Sequence, residues 1–253
     1  GQVALTAGDP DSSDHTYLLL SVGPELVRDH ADASAIQFLS QDATTLLGSN
    51  GYLQRELLYH NVFYAQPESW DRYPEDDPDR ILTGDAECQG EIKAFDCDGR
   101  TAHCRVTFDQ FHGMPLSVTR EALVDEHGTV TLIDRVRAHE DGYCGGPLFH
   151  AETIENQDGD YRLRTDQLRS LGNVVSENPP GDLLVETMYP DADIAVTQPD
   201  LPPIYDESYQ EFPTTEYKQV WQRSYVARNC LAAQKPFEAG EESVFVTQLR
   251  RES

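Results

Sequence analysis

Short turns that contain glycine recur along this chain between stretches in which apolar and polar residues alternate. Three of these turns are Asp98-Gly99, Glu126-His127-Gly128 and Asp158-Gly159. An aspartate–glycine pair between two alternating stretches is the strongest short-range signal for a β-hairpin, because glycine adopts the positive φ angles that a tight turn requires. We therefore predict that much of the chain folds as hairpins of antiparallel strands.

Predicted strands follow one another at short intervals along the whole sequence. Strand character is found at 16–22, 35–39, 61–65, 91–95, 104–108, 117–124, 129–136, 149–155, 161–165, 182–188, 193–197, 219–227 and 243–249. Helical periodicity is convincing nowhere. Two stretches rich in proline and acidic residues, 66–79 and 198–214, are predicted to be long loops. The pattern predicts an all-β fold, a large antiparallel β-sandwich of roughly a dozen strands, formed by residues 1–253 as a single domain.

The charge composition excludes several classes of partner. The chain has 45 acidic and 19 basic residues, a formal net charge of −26, and only three lysines. Such a surface repels nucleic acids and offers no polybasic membrane anchor, and the sequence has no apolar run of about 18 residues for a membrane helix. A hydrophobic fraction of 38% still supplies a folded core. A lysine-poor, acid-rich surface is typical of salt-adapted proteins, with ordinary acidic drift as the alternative.

The chain contains five cysteines, so they cannot all pair with one another. Cys97 and Cys104 flank the Asp98-Gly99 turn, which makes them candidates for cross-strand neighbours. The cysteine spacing matches no standard zinc motif, and the sequence leaves the redox compartment open.

The residues that point to a functional site lie between residues 18 and 65. Arg28, His30 and Asp32 share one polar stretch between two predicted strands, and His60-Asn61 precedes a third strand. Two histidines at strand ends can converge on one edge of a sheet, where neutral imidazoles and a carboxylate can bind zinc. The alternative is that both are ordinary solvated or packed histidines. The residues alone leave the two alternatives open.

The same region contains a series of short motifs. In order, they are a glycine-led strand at 1–9, Gly23-Pro24, VRDHAD at 27–32, AIQF at 35–38, LLGSNGY at 46–52, Arg55, and HNVF at 60–63. In this order and spacing, the first 65 residues or so resemble the C-terminal β-sandwich of the heparinase II/III-like polysaccharide lyases, a family that includes oligoalginate lyases. The resemblance implies β-elimination on uronic-acid polymers such as alginate-like or heparin-like glycans.

The resemblance also implies a structural zinc ion as the only cofactor. His30 and His60 match two of the family's zinc ligands. The third ligand of the family is an aspartate, and Ser49 stands at that position here. Asp32 is the carboxylate that we expect to replace it, with Asp42 as the alternative.

Four residues are predicted to bind substrate: Arg28, Arg55, Tyr59 and Asn61. Arg28 replaces a substrate-facing histidine of the family, and its guanidinium can form a bidentate pair with a uronate carboxylate. Alternatively, Arg28 pairs with a neighbouring aspartate on the surface. Arg28 and Arg55 form the one cationic patch predicted beside the histidines. Tyr59 is either a proton donor or a packing residue.

In the family, the principal base and acid lie on a preceding helical (α/α) toroid, which this sequence does not contain. The resemblance therefore assigns no catalytic residue here, and it implies two partners: the helical toroid of the same protein and an acidic polysaccharide. The chain starts at Gly1 without a targeting signal, so we expect either a removed signal or an excised domain of a secreted or periplasmic protein. The alternatives are a non-catalytic carbohydrate-binding or structural β-sandwich with a degenerate metal site, and an unrelated sandwich that mimics the motif.

Overall fold

A computed structural model describes most of the chain. The described residues are 1–9, 15–23, 33–42, 44–48, 57, 60–69, 88–165, 169–170, 173–174, 181–189, 191–197 and 229–252. Within them, no helix is long and apolar enough to cross a membrane.

The strands, numbered in chain order, form one large sheet and two smaller ones, and all pairings are antiparallel. The eight-stranded sheet contains, in spatial order, β11 (Thr153–Gln157), β12 (Asp160–Thr165), β15 (Gly181–Met188), β18 (Glu242–Arg251), β9 (Val130–Ala138), β8 (Leu116–Val124), β7 (Ala102–Phe108) and β6 (Gly90–Cys97). One four-stranded sheet contains β1 (Gln2–Ala7), β2 (Thr16–Ser21), β3 (Ile36–Gln41) and β4 (Thr44–Gly48). The other contains β16 (Asp193–Thr197), β17 (Asn229–Phe237), β10 (Tyr143–Ala151) and β5 (Phe63–Pro67). A separate two-stranded pair joins β13 (Arg169–Ser170) to β14 (Asn173–Val174).

The core lies between the eight-stranded sheet and the two smaller sheets. In β8 and β9, alternate residues are buried, as expected for strands that cover a core on one face only. Phe63 of β5 contacts Phe245 of β18 and Phe237 of β17, with ring centroids 5.7 Å and 6.4 Å apart. These aromatic contacts join the large sheet to the sheet that carries β5.

The structure confirms the predicted all-β sandwich and the three hairpins at the glycine turns. In the first hairpin, Gly99 has a φ of 86°, and the Asp98 carboxylate accepts hydrogen bonds from the next two backbone amides of the turn, those of Arg100 and Thr101, at 2.8 Å each. Cys97 and Cys104 are not cross-strand neighbours, because Cys97 faces Ala102, and all five cysteines are free. The loop predicted to begin at residue 66 begins later, because β5 continues to Pro67.

The predicted strand at 149–155 is wrong as a single element. β10 ends at Ala151, and β11 begins at Thr153 in a different sheet. The amide of Glu152, between them, donates to the carbonyl of Arg164 at 3.1 Å, so the chain changes sheets at this residue. The apolar residues shift from positions 149 and 151 to position 154 across the corner, so a break in the period of two marks the change of sheet in the sequence. The predicted strand at 219–227 and the predicted loops at 70–79 and 198–214 lie outside the described residues.

Candidate functional site

Asn61 joins the two four-stranded sheets at the point where the sequence predicts the site. Its side-chain amide donates to the carbonyl of Gly48 at 2.8 Å and accepts from the amide of His150 at 2.7 Å. Its backbone carbonyl accepts from the amide of Ile36 at 2.7 Å. Asn61 is 1% exposed. The geometry therefore gives Asn61 a structural part, because both polar ends of its side chain bind backbone groups of other strands.

Ser34 forms hydrogen bonds with β2 and β5 close to Asn61. Its amide donates to the carbonyl of Ser21 at 3.1 Å, and its hydroxyl accepts from the amide of Phe63 at 3.3 Å. Ser34 has a φ of 72°, a left-handed conformation that costs a non-glycine residue free energy and persists where surrounding contacts impose it. Residue 33, the first described residue after the segment 24–32, is thereby held near β5.

A buried ion pair in the large sheet contacts Ser34 through a hydrogen bond to its carbonyl. Arg120 on β8 donates to both carboxylate oxygens of Asp134 on β9, at 2.7 Å and 2.8 Å, and its third nitrogen donates to the carbonyl of Ser34. The side chains of Arg120 and Asp134 are 2% and 0% exposed. The pair was missed from sequence, although a signal existed: a charged residue interrupts the buried alternation of both strands, at positions that face each other.

Of the predicted zinc ligands, only His60 lies among the described residues, and it is buried at 2% exposure. Its amide donates to the carbonyl of Leu57 at 3.2 Å. Asp42, the alternative carboxylate, forms an ion pair with Arg251 at 2.8 Å. Outside the described residues lie the other predicted site residues and the serine at the aspartate position: Arg28, His30, Asp32, Ser49, Arg55 and Tyr59.

The described residues do not by themselves fit a zinc ion. Among them, no group of three histidine, cysteine, aspartate or glutamate side chains lies close enough together to hold a metal. His150 is a buried histidine that the sequence did not single out for this region. Val62 and Leu148 continue the pairing of β5 with β10, whereas the preceding residue, Asn61, bridges to Ile36 of β3 instead.

His112 is a second histidine that sequence reasoning did not identify as unusual. It lies in a 3₁₀ turn, Phe111–Gly113, between β7 and β8, with a left-handed φ of 50° and a side chain buried at 4% exposure. Burial lowers the pKa of its imidazole to about 4. Among the described residues, neither ring nitrogen has a hydrogen-bond partner. Nearby, burial raises the pKa of the Cys88 thiol to about 11, although a backbone hydrogen bond with His112 opposes the shift.

Cations also cluster on the outer face of the large sheet. Arg105 and Arg135 both bind the carboxylate of Glu121, at 3.1 Å and 3.4 Å, and His103 lies 2.7 Å from it. Partial burial would raise the pKa of Glu121, but the hydrogen bonds from Arg105 and His103 prevail and hold it below its usual range. Glu121 neutralises only one of the two arginine charges in this cluster.

No protein-family model matches the sequence, and no curated protein matches it. Among the solved structures that match its fold are three lyases. The heparan sulfate lyase HepC from Pedobacter heparinus has a TM-score of 0.64 at 11% identity, over 100% of this chain and 35% of that chain. A heparinase III structure has a TM-score of 0.61 at 12% identity, over 99% and 35%. A heparinase III with methylated lysines has a TM-score of 0.62 at 9% identity, over 100% and 34%.

These similarities concern the fold. At 9–12% identity, they show that the described β-sandwich has the architecture of one part of the heparinase III and heparan sulfate lyase chains. This chain spans about a third of the length of the chains it matches.

Proposed function

We propose that this chain is the C-terminal β-sandwich module of a polysaccharide lyase that acts on uronic-acid polymers by β-elimination. The observation that carries the proposal is the match of the whole chain to about a third of each heparinase or heparan sulfate lyase chain. The order of short motifs over the first 65 residues supports the same family independently of the fold.

The proposed reaction needs three contributions. A base removes the proton α to the uronate carboxylate, an acid protonates the departing glycosidic oxygen, and a cation stabilises the charge that develops on the carboxylate. In this proposal, Arg28 supplies the cation through a bidentate pair, and Arg55 adds to the local positive charge. The base and acid are contributed by a helical domain of the same protein, so this chain lines the substrate cleft without completing the active site.

Contacts around the segment 24–32 support this assignment. His30 and Asp32 are four and two residues before Ser34, whose backbone and hydroxyl bind β2, β5 and the buried Arg120. An anchored strand end positions functional side chains more precisely than a free loop does. We include in the proposal a structural zinc ion held by His30 and His60, with Asp32 as the carboxylate ligand. No step of the reaction depends on it.

The second candidate function is a non-catalytic carbohydrate-binding or structural β-sandwich with a degenerate metal site. Two substitutions favour it, Arg28 at the histidine position and Ser49 at the aspartate position of the family motif. The burial of Asn61 and its hydrogen bonds to backbone groups are as compatible with a structural sandwich as with a lyase module.

Activity separates the two candidates. The complete protein, with any sequence upstream of Gly1, is incubated with alginate, heparin and heparan sulfate, and the ultraviolet absorbance of the unsaturated product is followed. The proposal expects turnover by the complete protein, little or none by this chain alone, and a large loss of kcat/KM in Arg28→Ala with partial rescue in Arg28→Lys. A complete protein that binds these polymers without cleaving any of them would support the second candidate.

Metal content tests the zinc ion separately. Purified protein is analysed by plasma emission spectroscopy, with His30→Ala and His60→Ala as variants and His127→Ala as an exposed-histidine control. Loss of zinc in both variants but not in the control supports the site, and metal-free wild-type protein contradicts it.

Because the net charge of −26 opposes an anionic substrate, binding by the complete protein should improve as salt rises to a high optimum. Binding that weakens at every step from low salt would contradict this reasoning. It would mean that the acidic surface has no effect on substrate binding.

A further inference from the structure

Among the residues that the structure describes, none covers the core-facing side of β6, which is an edge strand of the large sheet. Ile92 stands opposite Val106 on β7, and Phe95 stands opposite Cys104. Directly opposed residues of an antiparallel pair point to the same face of the sheet. Val106 and Cys104 are buried in the core at 3% and 0% exposure, whereas Ile92 and Phe95 are 48% and 56% exposed.

The packing around β6 explains this exposure. Close packing holds the start of the strand, where a Cβ on Gly90 would lie 2.5 Å from Val106 and 2.8 Å from the carbonyl of Val22. At the other end, the Cys97 thiol reaches the carbonyl of Thr6 on β1 at 3.4 Å. The facing sheet ends at β1, which packs mainly on β7. Between its two ends, β6 therefore projects beyond the sheet that covers the rest of the core. We call this exposed surface, formed by Ile92 and Phe95, the β6 overhang.

The edge of β6 is protected against pairing with another strand, whereas the overhang is not protected. Glu91, Lys93 and Asp96 are all exposed on this strand, and Lys93 forms an ion pair with Glu91. The register shifts between Ile92 and Ala94, which places an irregularity at Lys93. Charged residues and bulges are devices that prevent edge-to-edge association of sheets. A partner would therefore contact the apolar side chains rather than add a strand.

We propose that the β6 overhang is the docking surface for another domain of the same polypeptide, N-terminal to residue 1. The inference rests on the proposed function, in which this chain is one module of a longer lyase. The carbonyl of Gly1 accepts from the amide of Val22 at 2.8 Å, and the carbonyl of Val22 accepts from the amide of Gly90 at 2.6 Å. An upstream domain would therefore join the sandwich beside Gly90, the first residue of β6. The chains that match this fold are about three times its length, which supplies a domain of sufficient size.

Site-specific cross-linking in the complete protein tests the proposal. A photoreactive phenylalanine derivative replaces Phe95, and Leu123 is replaced in the same way as the control, because it is 37% exposed on the outer face of the same sheet. After irradiation, the cross-linked peptides are identified by mass spectrometry. We expect links from position 95 to residues upstream of Gly1 within one molecule, and few from position 123. Links between two copies, links to residues 70–87, or yields equal to the control would overturn the proposal.

The substitution Phe95→Ser provides a second measurement that does not depend on lyase activity. In this chain alone, the variant should remain folded with only a small decrease in the denaturant midpoint, because half of the Phe95 side chain already contacts water. In the complete protein, removing a central aromatic contact should weaken docking by roughly 10-fold or more, so limited proteolysis between the domains should accelerate by a similar factor. Equal proteolysis rates would overturn the proposal, and they would do so even in an active lyase. Inactivity with accelerated proteolysis would instead contradict the proposed function and leave the docking surface intact.

Discussion

Replacing Asp134 by asparagine removes the negative charge from the buried ion pair with almost no change in volume. The wild-type carboxylate accepts two hydrogen bonds from Arg120, and the guanidinium donates a third to the carbonyl of Ser34. In Asp134→Asn, the guanidinium keeps its charge at 2% exposure but loses its counter-ion, and one of its donors meets an amide NH₂ group. The variant therefore contains a buried, uncompensated charge.

The expected cost follows from measurements on buried pairs of this kind. Removing one partner of a buried pair destabilises a protein by about 3–5 kcal/mol. For a chain of this size, about 4 kcal/mol corresponds to a decrease in Tm of roughly 10 °C. Removing both charges, as in Arg120→Met with Asp134→Leu, should cost much less than the sum of the single changes, because no unpaired charge remains. The Ser34 carbonyl still loses its donor in that double variant, at about 1–3 kcal/mol.

Urea unfolding followed by circular dichroism measures the wild type, Asp134→Asn, the single variants Arg120→Met and Asp134→Leu, and the double variant that combines the last two. Arg164→Gln is the matched control, because Arg164 also forms a two-bond pair with an aspartate, Asp182, but its side chain is 48% exposed. The control should lose less than about 1 kcal/mol. A loss below about 1 kcal/mol in Asp134→Asn, or additive losses in the double variant, would refute the reasoning that the pair is desolvated and coupled.

Three further predictions concern single residues. Burial lowers the pKa of His112 from 6.5 to about 4. As pH falls, the imidazole of the unfolded chain is therefore protonated before that of the folded protein. The free energy of unfolding should decrease by roughly 3 kcal/mol between pH 6.5 and pH 4. His112→Leu should flatten that part of a pH series of urea midpoints, and an unchanged slope would contradict the assignment. Asn61→Ala leaves two buried backbone groups without partners and should cost roughly 3 kcal/mol in urea unfolding, whereas a loss of lyase activity at unchanged stability would show that Asn61 acts on substrate instead. Iodoacetamide should label the exposed Cys97 first in native protein, because burial raises the pKa of the Cys88 and Cys104 thiols to about 11. Peptide mass spectrometry identifies the labelled cysteines, and rapid labelling of Cys88 or Cys104 in native protein would contradict their burial.

Hairpins and strand class could be predicted from sequence because they depend on neighbours in the chain. At Asp98-Gly99 and Asp158-Gly159, glycine supplies a positive φ, and residues on either side alternate with a period of two. Strand bounds were less predictable where tertiary contacts act. The predicted strand at 61–65 is β5 at Phe63–Pro67 instead, because Asn61 is used as a bridge to Ile36 rather than as part of the ladder.

The sequence by itself determined the all-β class and the three glycine hairpins, and it predicted a site around His60-Asn61. Only the tertiary structure decided what the residues of that region contact. The amide of His150 that binds Asn61 is 89 residues away, and the Ser34 carbonyl that binds Arg120 is 86 residues away. Periodicity and turn chemistry are local, so they predict a strand and its inward face, but not which strand of another sheet lies against it. The exposure of Phe95 has the same cause: its position in the strand pattern is that of a core residue, and the facing sheet ends before it.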